Sequence, residues 1–471
     1  MIDAATGLLI LIGFIAVMAA TSWITRPRQH DFEDFVVMRR QLGPWAGAAS
    51  IAVSWIWAPA VFICSMKAYT QGLAGLFWFT VPNILCFFLF IPLALRLKKI
   101  HADGYSFPDF LATRYADAPH LRSVALIVYA GYQLGAIIIN TLAGGTLFAH
   151  VANMDVTLAI LLMATGTLGY SLISGLRASV MTDKLQMLML LFIAFLIVPW
   201  VVHVAGGWSI ISEGIGGQSG SFGNVLNPEV ILGFGIASAL SLLSGPLADQ
   251  MFFQRAHAAK QQSIKAIFGL GGLLFGVVPI VLGILGFIAA SPAVQNTLVI
   301  GDPQMVGPEV VAYFLPEWAL YGFIILALAG LTSTLDSAYV ALPSLFARSG
   351  PAHETDTVRK MRRIMIAGAA IGTVVALMQP KLLWVFLIYG ALASCMLIPA
   401  FFAVFSSRVT GRALTWAIAI GIVGALPLSI YANVTEQSDL ILLAALVPPT
   451  VGLAVCGASH IRNADSRPLP A

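Results

Sequence analysis

"LAGLTSTLDSAYVAL", residues 328–342, gathers Thr332, Ser333, Thr334 and Ser337 around one carboxylate, Asp336, inside a run that is otherwise apolar. On a helix, Gly330, Ser333, Thr334 and Ser337 fall at i, i+3, i+4 and i+7 and share one face, with Asp336 flanking it. The hydroxyls alone have an ordinary explanation, since Ser and Thr bond the carbonyl four residues back or join neighbouring membrane helices. The carboxylate has none of that kind. An acid in a membrane helix costs on the order of 3 kcal/mol by insertion scales unless it faces a cavity or a cation.

The surroundings of this stretch are those of a membrane protein. The 471 residues are 59% hydrophobic and only 10% charged, against roughly 25% charged in an average soluble domain. Apolar runs long enough to cross a bilayer recur along the chain. About thirteen are expected, at 5–25, 44–70, 73–97, 121–149, 155–173, 180–204, 229–250, 265–290, 315–347, 361–379, 381–407, 411–431 and 438–460. Lys and Arg accumulate in cytoplasmic loops. With an external N-terminus and a cytoplasmic C-terminus, thirteen crossings put all but Lys67 and Lys381 of the 25 basic residues on the inner side, Arg255 counted among the inner connections. The expectation is an all-α polytopic protein of the cell (inner) membrane, one transmembrane domain over 1–471, with Ser333 close to mid-bilayer.

Several function classes find no support. The net charge of +4 is distributed as orientation requires, and no basic run suggests a nucleic-acid partner. Cys64, Cys86, Cys395 and Cys456 lie in apolar spans without CxxC spacing, and the eight histidines form no HxxxH or HExxH pair, so neither a metal-dependent enzyme nor a disulfide framework is expected. No nucleophile–base constellation appears, no cofactor is implied and no obligatory protein partner is evident. The first apolar run lacks a basic n-region and reads as a retained helix.

Two spans are interrupted in matching ways. The second carries "SIAVSWIWAP" (50–59) and the seventh "SALSLLSGPLADQ" (238–250). They lie five helices apart and so cross the membrane in opposite senses. Paired broken helices of opposite orientation point to an inverted-repeat transporter with its site near the midplane, although single Pro and Gly kinks are also tolerated in membrane helices for no such reason. A hard monovalent cation prefers oxygen ligands, and hydroxyls together with carbonyls freed at a broken helix supply them.

Together with "SGLRASVMTDKLQ" (174–186) and "DQMFFQRAHAAK" (249–260), the opening stretch resembles the sodium:solute symporter family from about residue 35 to 407. The resemblance implies a LeuT-type five-plus-five inverted repeat, here about 44–204 and 229–407, with one extra N-terminal and two extra C-terminal helices. It implies that Ser333 and Thr334 are the sodium-ligating hydroxyl pair, that Gly330 offers a carbonyl, and that Ser50 and Val53 offer two more. Asp183 matches the acid of the family's "TD" signature, where some members hold a second sodium with hydroxyls such as Ser337. Asp336 stands where those members have a serine, so the locus is a candidate for a second cation or for a proton.

"VSWIWAPAVF" (53–62), "AYTQGLAGLFWF" (68–79) and "ADQMFFQR" (248–255) are similar to the urea-transporter branch of that family. Candidate solute contacts are Ser54, Trp55, Trp57, Gln133, Asp249, Gln250 and Phe253. Trp55 and Trp57 fall at mid-helix, where packed core and aromatic solute walls are both open readings. No basic residue at mid-bilayer is expected to clamp a carboxylate, which argues against anionic solutes. The expected function is sodium-coupled import of a small neutral polar solute, urea-like, by alternating access, with Na+ as coupling ion and the lipid bilayer as surroundings. A proton-coupled or sodium-coupled carrier of an amino acid or short carboxylate, and more remotely a receptor that binds without transport, are the alternatives.

Overall fold

The computed structural model describes residues 2–27, 31–347 and 354–463, the side chains of 354–357 excepted. Asp3 caps α1 (Ala4–Ile24) by accepting from the Thr6 amide, and Asp31 caps the short α2 (Phe32–Val37) through the Asp34 amide. Pro44 opens α3 (Pro44–Ser54) at a position where its missing N–H costs nothing. The helix stops before Trp55, and the chain resumes at Pro59 with a wide turn, Pro59–Ile63, that feeds α4 (Cys64–Ile100). After α5 (Phe107–Arg114), α6 (Leu121–Ala152) and α7 (Val156–Ser174), Gly175 turns the chain at φ +60 into α8 (Leu176–Ala205), where a Cβ would meet the Phe35 carbonyl at 2.4 Å.

The second half opens with α9 (Trp208–Gly214) and α10 (Pro228–Val230), and a wide turn, Ile231–Gly235, runs into α11 (Ile236–Ala248). Asp249, extended at φ −96 and ψ 112, separates α11 from α12 (Gln250–Ala258). Next come α13 (Ile264–Ala290), the connecting α14 (Pro292–Gln295) and α15 (Val306–Phe314), and α16 (Glu317–Ser344). The chain then forms α17 (Glu354–Leu377), α18 (Leu382–Ser394), α19 (Leu397–Phe405), α20 (Gly411–Val434) and α21 (Ser438–Arg462).

Among the described residues, 11 helices are long and apolar enough to cross a membrane. The thirteen expected runs differ from these at two places. Pro59–Ile100 counts as one of the 11, although the helical ladder breaks at Gln71 and Gly72 (φ 54, ψ −150), where the Leu73 and Ala74 amides donate to the Ile215 and Phe222 carbonyls. The boundary expected between the second and third runs is present as this break, and α3 stands apart as a piece of 11 residues. In α17 the first turns are charged and only Ile364–Leu377 is apolar.

α16 lies at the centre, buried without interruption from Leu326 to Ser344 and packed against α8, α6 and α3. Peripheral helices show the reverse. Leu188, Phe192, Phe195 and Leu196 form an exposed apolar row on α8, the surface a hydrocarbon surround requires. All four cysteines are buried and unpaired.

Candidate functional site

The interruption between α3 and α4 frees backbone groups that other helices meet. The Ala58 N–H, just before Pro59, donates to Asn140 Oδ1 of α6 at 2.8 Å. The Ile56 carbonyl faces α16, where Thr334 Oγ1 lies 3.2 Å from it and 3.2 Å from the Gly330 carbonyl. A Cβ at 330 would stand 2.9 Å from Ile56 Cγ2 and 3.2 Å from Ile56 O, so glycine is what lets the two elements approach. The Val53 carbonyl accepts from Ile56 N at 3.0 Å. Two carbonyls, one from the break and one from α16, and a hydroxyl therefore converge on one spot, a donor set suited to a small hard cation.

One turn farther along α16 lies a wholly buried polar cluster. Ser50 and Ser333 each donate to Asp183 at 2.5 Å. Asp336 accepts from Ser179 at 2.7 Å, from Thr182 at 3.1 Å and from Ser337 at 3.3 Å. The Arg255 guanidinium enters this cluster beside Asp183, donating to Ser337 Oγ at 2.7 Å, to Ser50 Oγ through Nε at 3.2 Å, and to Asp183 at 3.3 Å, while its Nη1 is buried without a partner. Arg255, Asp183 and Asp336 are each 0% exposed. Charges so removed from water persist only when paired and hydrogen-bonded.

The interruption between α11 and α12 is closed differently. Asp249 Oδ1 accepts from the Met251 amide at 2.8 Å and from Gln133 Nε2 at 2.7 Å, while the Leu247 carbonyl accepts from Tyr129 at 2.6 Å.

Next to the first break is a cavity of about 30 Å³ walled by Trp55, Trp57, Tyr132, Phe386 and Tyr389, with Asn83 and Ser241 as its polar members. One water needs about 10–15 Å³ of such space, so the cavity admits a solute of only a few heavy atoms. Trp55 Nε1 donates to Asn83 Oδ1 at 2.7 Å, whereas the Trp57 indole N–H is buried without a partner. Farther along α4 and α18 a vestibule of about 430 Å³, bordered by Lys67, Asp302, Lys381 and Glu436, opens beside the 291–314 connection. The opposite, basic face is shut. Arg40 donates to the carbonyls of Ala102, Asp103 and Gly104, Arg177 grips Asp34 at 2.5 Å, Lys98 donates to the His257 carbonyl, and Gln254 to that of Val36.

Of the expected solute contacts, Trp55 and Trp57 line the small cavity. Ser54 bonds back to the Ser50 carbonyl at 2.7 Å, Gln133 and Asp249 pair with each other, and Gln250 reaches Tyr105 O and Ser344 Oγ. Phe253 packs among Phe90, Phe107 and Tyr129. Of the expected sodium ligands, Gly330 and Thr334 meet at the Ile56 carbonyl, Val53 lies one turn before Ile56, and the Ser333 hydroxyl is turned to Asp183. The Ser50 carbonyl is engaged by Ser54, and its hydroxyl faces Asp183. Arg255, counted from the sequence with the inner connections, is instead buried on α12, because four hydroxyl and carboxylate partners from three other helices surround its guanidinium. Ile56, Ser179, Thr182, Asn83, Tyr132, Phe386 and Tyr389 are not among the residues the sequence singles out, and Ser241, marked there only as part of the second interrupted span, lines the cavity.

A sequence model of the sodium:solute symporter family matches residues 35–421. The chain is 23% identical to "Probable urea active transporter 3" of Schizosaccharomyces pombe over 62% of its own length and 45% of that protein. It is 22% identical to "High-affinity choline transporter 1" of Drosophila melanogaster over 84% and 65%. The alignments thus span less than two thirds of either relative. In three dimensions the chain is similar to a sodium-coupled sialic acid symporter in a substrate-bound outward-open state, with a TM-score of 0.78 at 16% identity over 98% of both chains.

Proposed function

The chain belongs to the sodium:solute symporter family, and from that premise we propose that it imports a small neutral polar solute of urea type together with sodium. The observation that carries this reading is an adjacency. The oxygens of Ile56, Gly330 and Thr334 gather on one side of the first break, with Ser333, the next residue on α16, bonded to Asp183, and a cavity sized for a few heavy atoms lies on the other. Sodium held by those oxygens ties α16 to the break, and the break carries Trp55 and Trp57 into the cavity wall. Binding of the ion thereby orders the solute site.

The walls favour urea. Its flat, uncharged body stacks against aromatic faces, and its carbonyl oxygen is an acceptor for the unpartnered Trp57 N–H. The tight space and the absence of a cation among the cavity-lining residues disfavour larger or anionic solutes. With thirteen crossings, an external N-terminus and the basic face in the cytoplasm, the vestibule is the outer approach and the shut face is the inner gate. One charge entering through 100 mV supplies about 2.3 kcal/mol, which concentrates a neutral solute roughly fifty-fold. A second reading keeps a proton as the coupling ion, since two carboxylates face a single guanidinium in the buried cluster.

The test uses the purified chain in NaCl against N-methylglucamine chloride. Sodium at ten times Kd should stabilise by about 1.4 kcal/mol, and Ser333→Ala/Thr334→Ala should abolish that shift. In proteoliposomes an inward sodium gradient should drive urea uptake, and Trp57→Phe should lower uptake while sparing the sodium shift. Uptake driven by a proton gradient without sodium would transfer the coupling to the second reading.

A further inference from the structure

Resting on the sodium-symport reading above, we propose that the Arg255 guanidinium is a built-in cation. It fills the place between Asp183 and Ser337 that a second transported cation would need, so that one sodium ion accompanies each solute.

The contacts themselves carry the argument. Arg255 Nη2 lies 2.7 Å from Ser337 Oγ, 3.3 Å from Asp183 Oδ2 and 3.4 Å from Ser179 Oγ, and Nε lies 3.2 Å from Ser50 Oγ. A second cation on this side would draw on that same set of oxygens. The guanidinium also organises the hydroxyls. Ser50 accepts from Arg255 and so points its proton at Asp183, and Ser337 accepts from Arg255 and so points its proton at Asp336. Charge counting agrees. With both acids ionised, two carboxylates and one guanidinium, all at 0% exposure, leave one negative charge, which a single sodium at the first break balances. A second ion would place an uncompensated positive charge in a dry site.

Arg255 also differs from a diffusible ion in being tethered. It rides on α12, whose Gln254 holds the Val36 carbonyl at 2.9 Å, whose His257 carbonyl takes Lys98 at 2.7 Å, and whose Ala258 carbonyl takes the Leu42 amide at 2.9 Å. These bonds close the basic face. Movement of α12 that opens that face withdraws the guanidinium from Asp183, and the built-in charge returns when the face closes.

The experiment counts 22Na+ bound per full-length protein by equilibrium dialysis, with thermal midpoints measured in parallel. The wild type should bind one sodium. Arg255→Ala should bind two, and millimolar guanidinium chloride should raise its midpoint while leaving the wild type unmoved. A wild-type count of two overturns the built-in cation and leaves sodium symport standing. A count of zero overturns the sodium reading, and the guanidinium response of Arg255→Ala then decides the built-in cation by itself. Arg255→Ala that neither gains a sodium nor responds to guanidinium overturns the proposal. If that variant does not fold, Arg255→Lys, which keeps the charge with fewer donors, should bind one sodium, and two would overturn it.

Discussion

At the first break three residues leave the helix, and the freed groups find unequal partners. Asn140 takes the Ala58 N–H, while the Ile56 carbonyl has only a hydroxyl at 3.2 Å that is shared with Gly330. At the second break one residue leaves the helix, and its own carboxylate caps the next helix while Tyr129 takes the Leu247 carbonyl at 2.6 Å. Buried backbone groups must be satisfied, and the two places show two ways of doing so. The first leaves oxygen capacity for a ligand. The second satisfies itself and spends its irregularity on turning α12 so that Arg255 reaches the cluster on α8 and α16.

The largest effect that can break this contrast involves the two acids. Asp183 is held by Arg255 and two serines, so Asp183→Asn strips a buried guanidinium of its direct partner and should cost about 3–5 kcal/mol. Asp249 uses Oδ1 for both of its bonds and leaves Oδ2 without a partner. Asp249→Asn keeps that oxygen and should cost about 1 kcal/mol or less. Thermal unfolding of the two variants in the same detergent checks the difference, and equal losses would remove the distinction between a ligand-facing and a self-satisfied break.

Much of the first break was legible in the sequence, and Arg255 was not. Pro59 after "VSWIWA" and the i, i+3, i+4, i+7 face of α16 are local patterns, and local patterns of Pro and of polar residues in an apolar run survive into the structure. The paired interruptions were likewise visible, although the second falls at Asp249, just after Pro246. Arg255 sits in "QRAHAAK", which reads as a basic connection. Its burial depends on Ser50, Asp183 and Ser337, residues 205, 72 and 82 positions away. The cavity has the same origin, with walls drawn from α4, α6, α11 and α18 as well as the break itself. The Ile56 carbonyl had no signal at all, because a backbone ligand is set by where the helix stops and not by its side chain.

Two glycines sharpen the comparison within the first break. Gly330→Ala would press on Ile56 from the α16 side, and Gly245→Ala would press on Trp55 at 2.6 Å and the Tyr132 hydroxyl at 2.8 Å from the cavity side. Each should cost about 1–3 kcal/mol by overpacking. Their ligand effects should separate. The first should weaken the sodium shift more than urea protection at saturating sodium, and the second should weaken urea protection while keeping the sodium shift. Midpoints measured with each ligand alone and with both together read this out. Identical behaviour would mean that ion and solute share one contact set.

The smallest difference between the two breaks comes from the hydrogen bonds that close each one. Asn140→Ala strands the Ala58 N–H in a buried place and should cost about 2 kcal/mol, and Tyr129→Phe removes the donor to Leu247 and should cost about 1 kcal/mol. The carbonyl loses less because neighbouring donors can shift toward its second lone pair, whereas an amide before proline has one proton and one direction. Function divides the pair further. Ala58 adjoins Trp57, so loosening it should widen the cavity and weaken urea binding. Leu247 adjoins Asp249, so loosening it should lower stability with urea affinity unchanged. Urea-dependent shifts that fall equally in both variants would show that the second break also shapes the solute site, and the division of labour between the two would have to be redrawn.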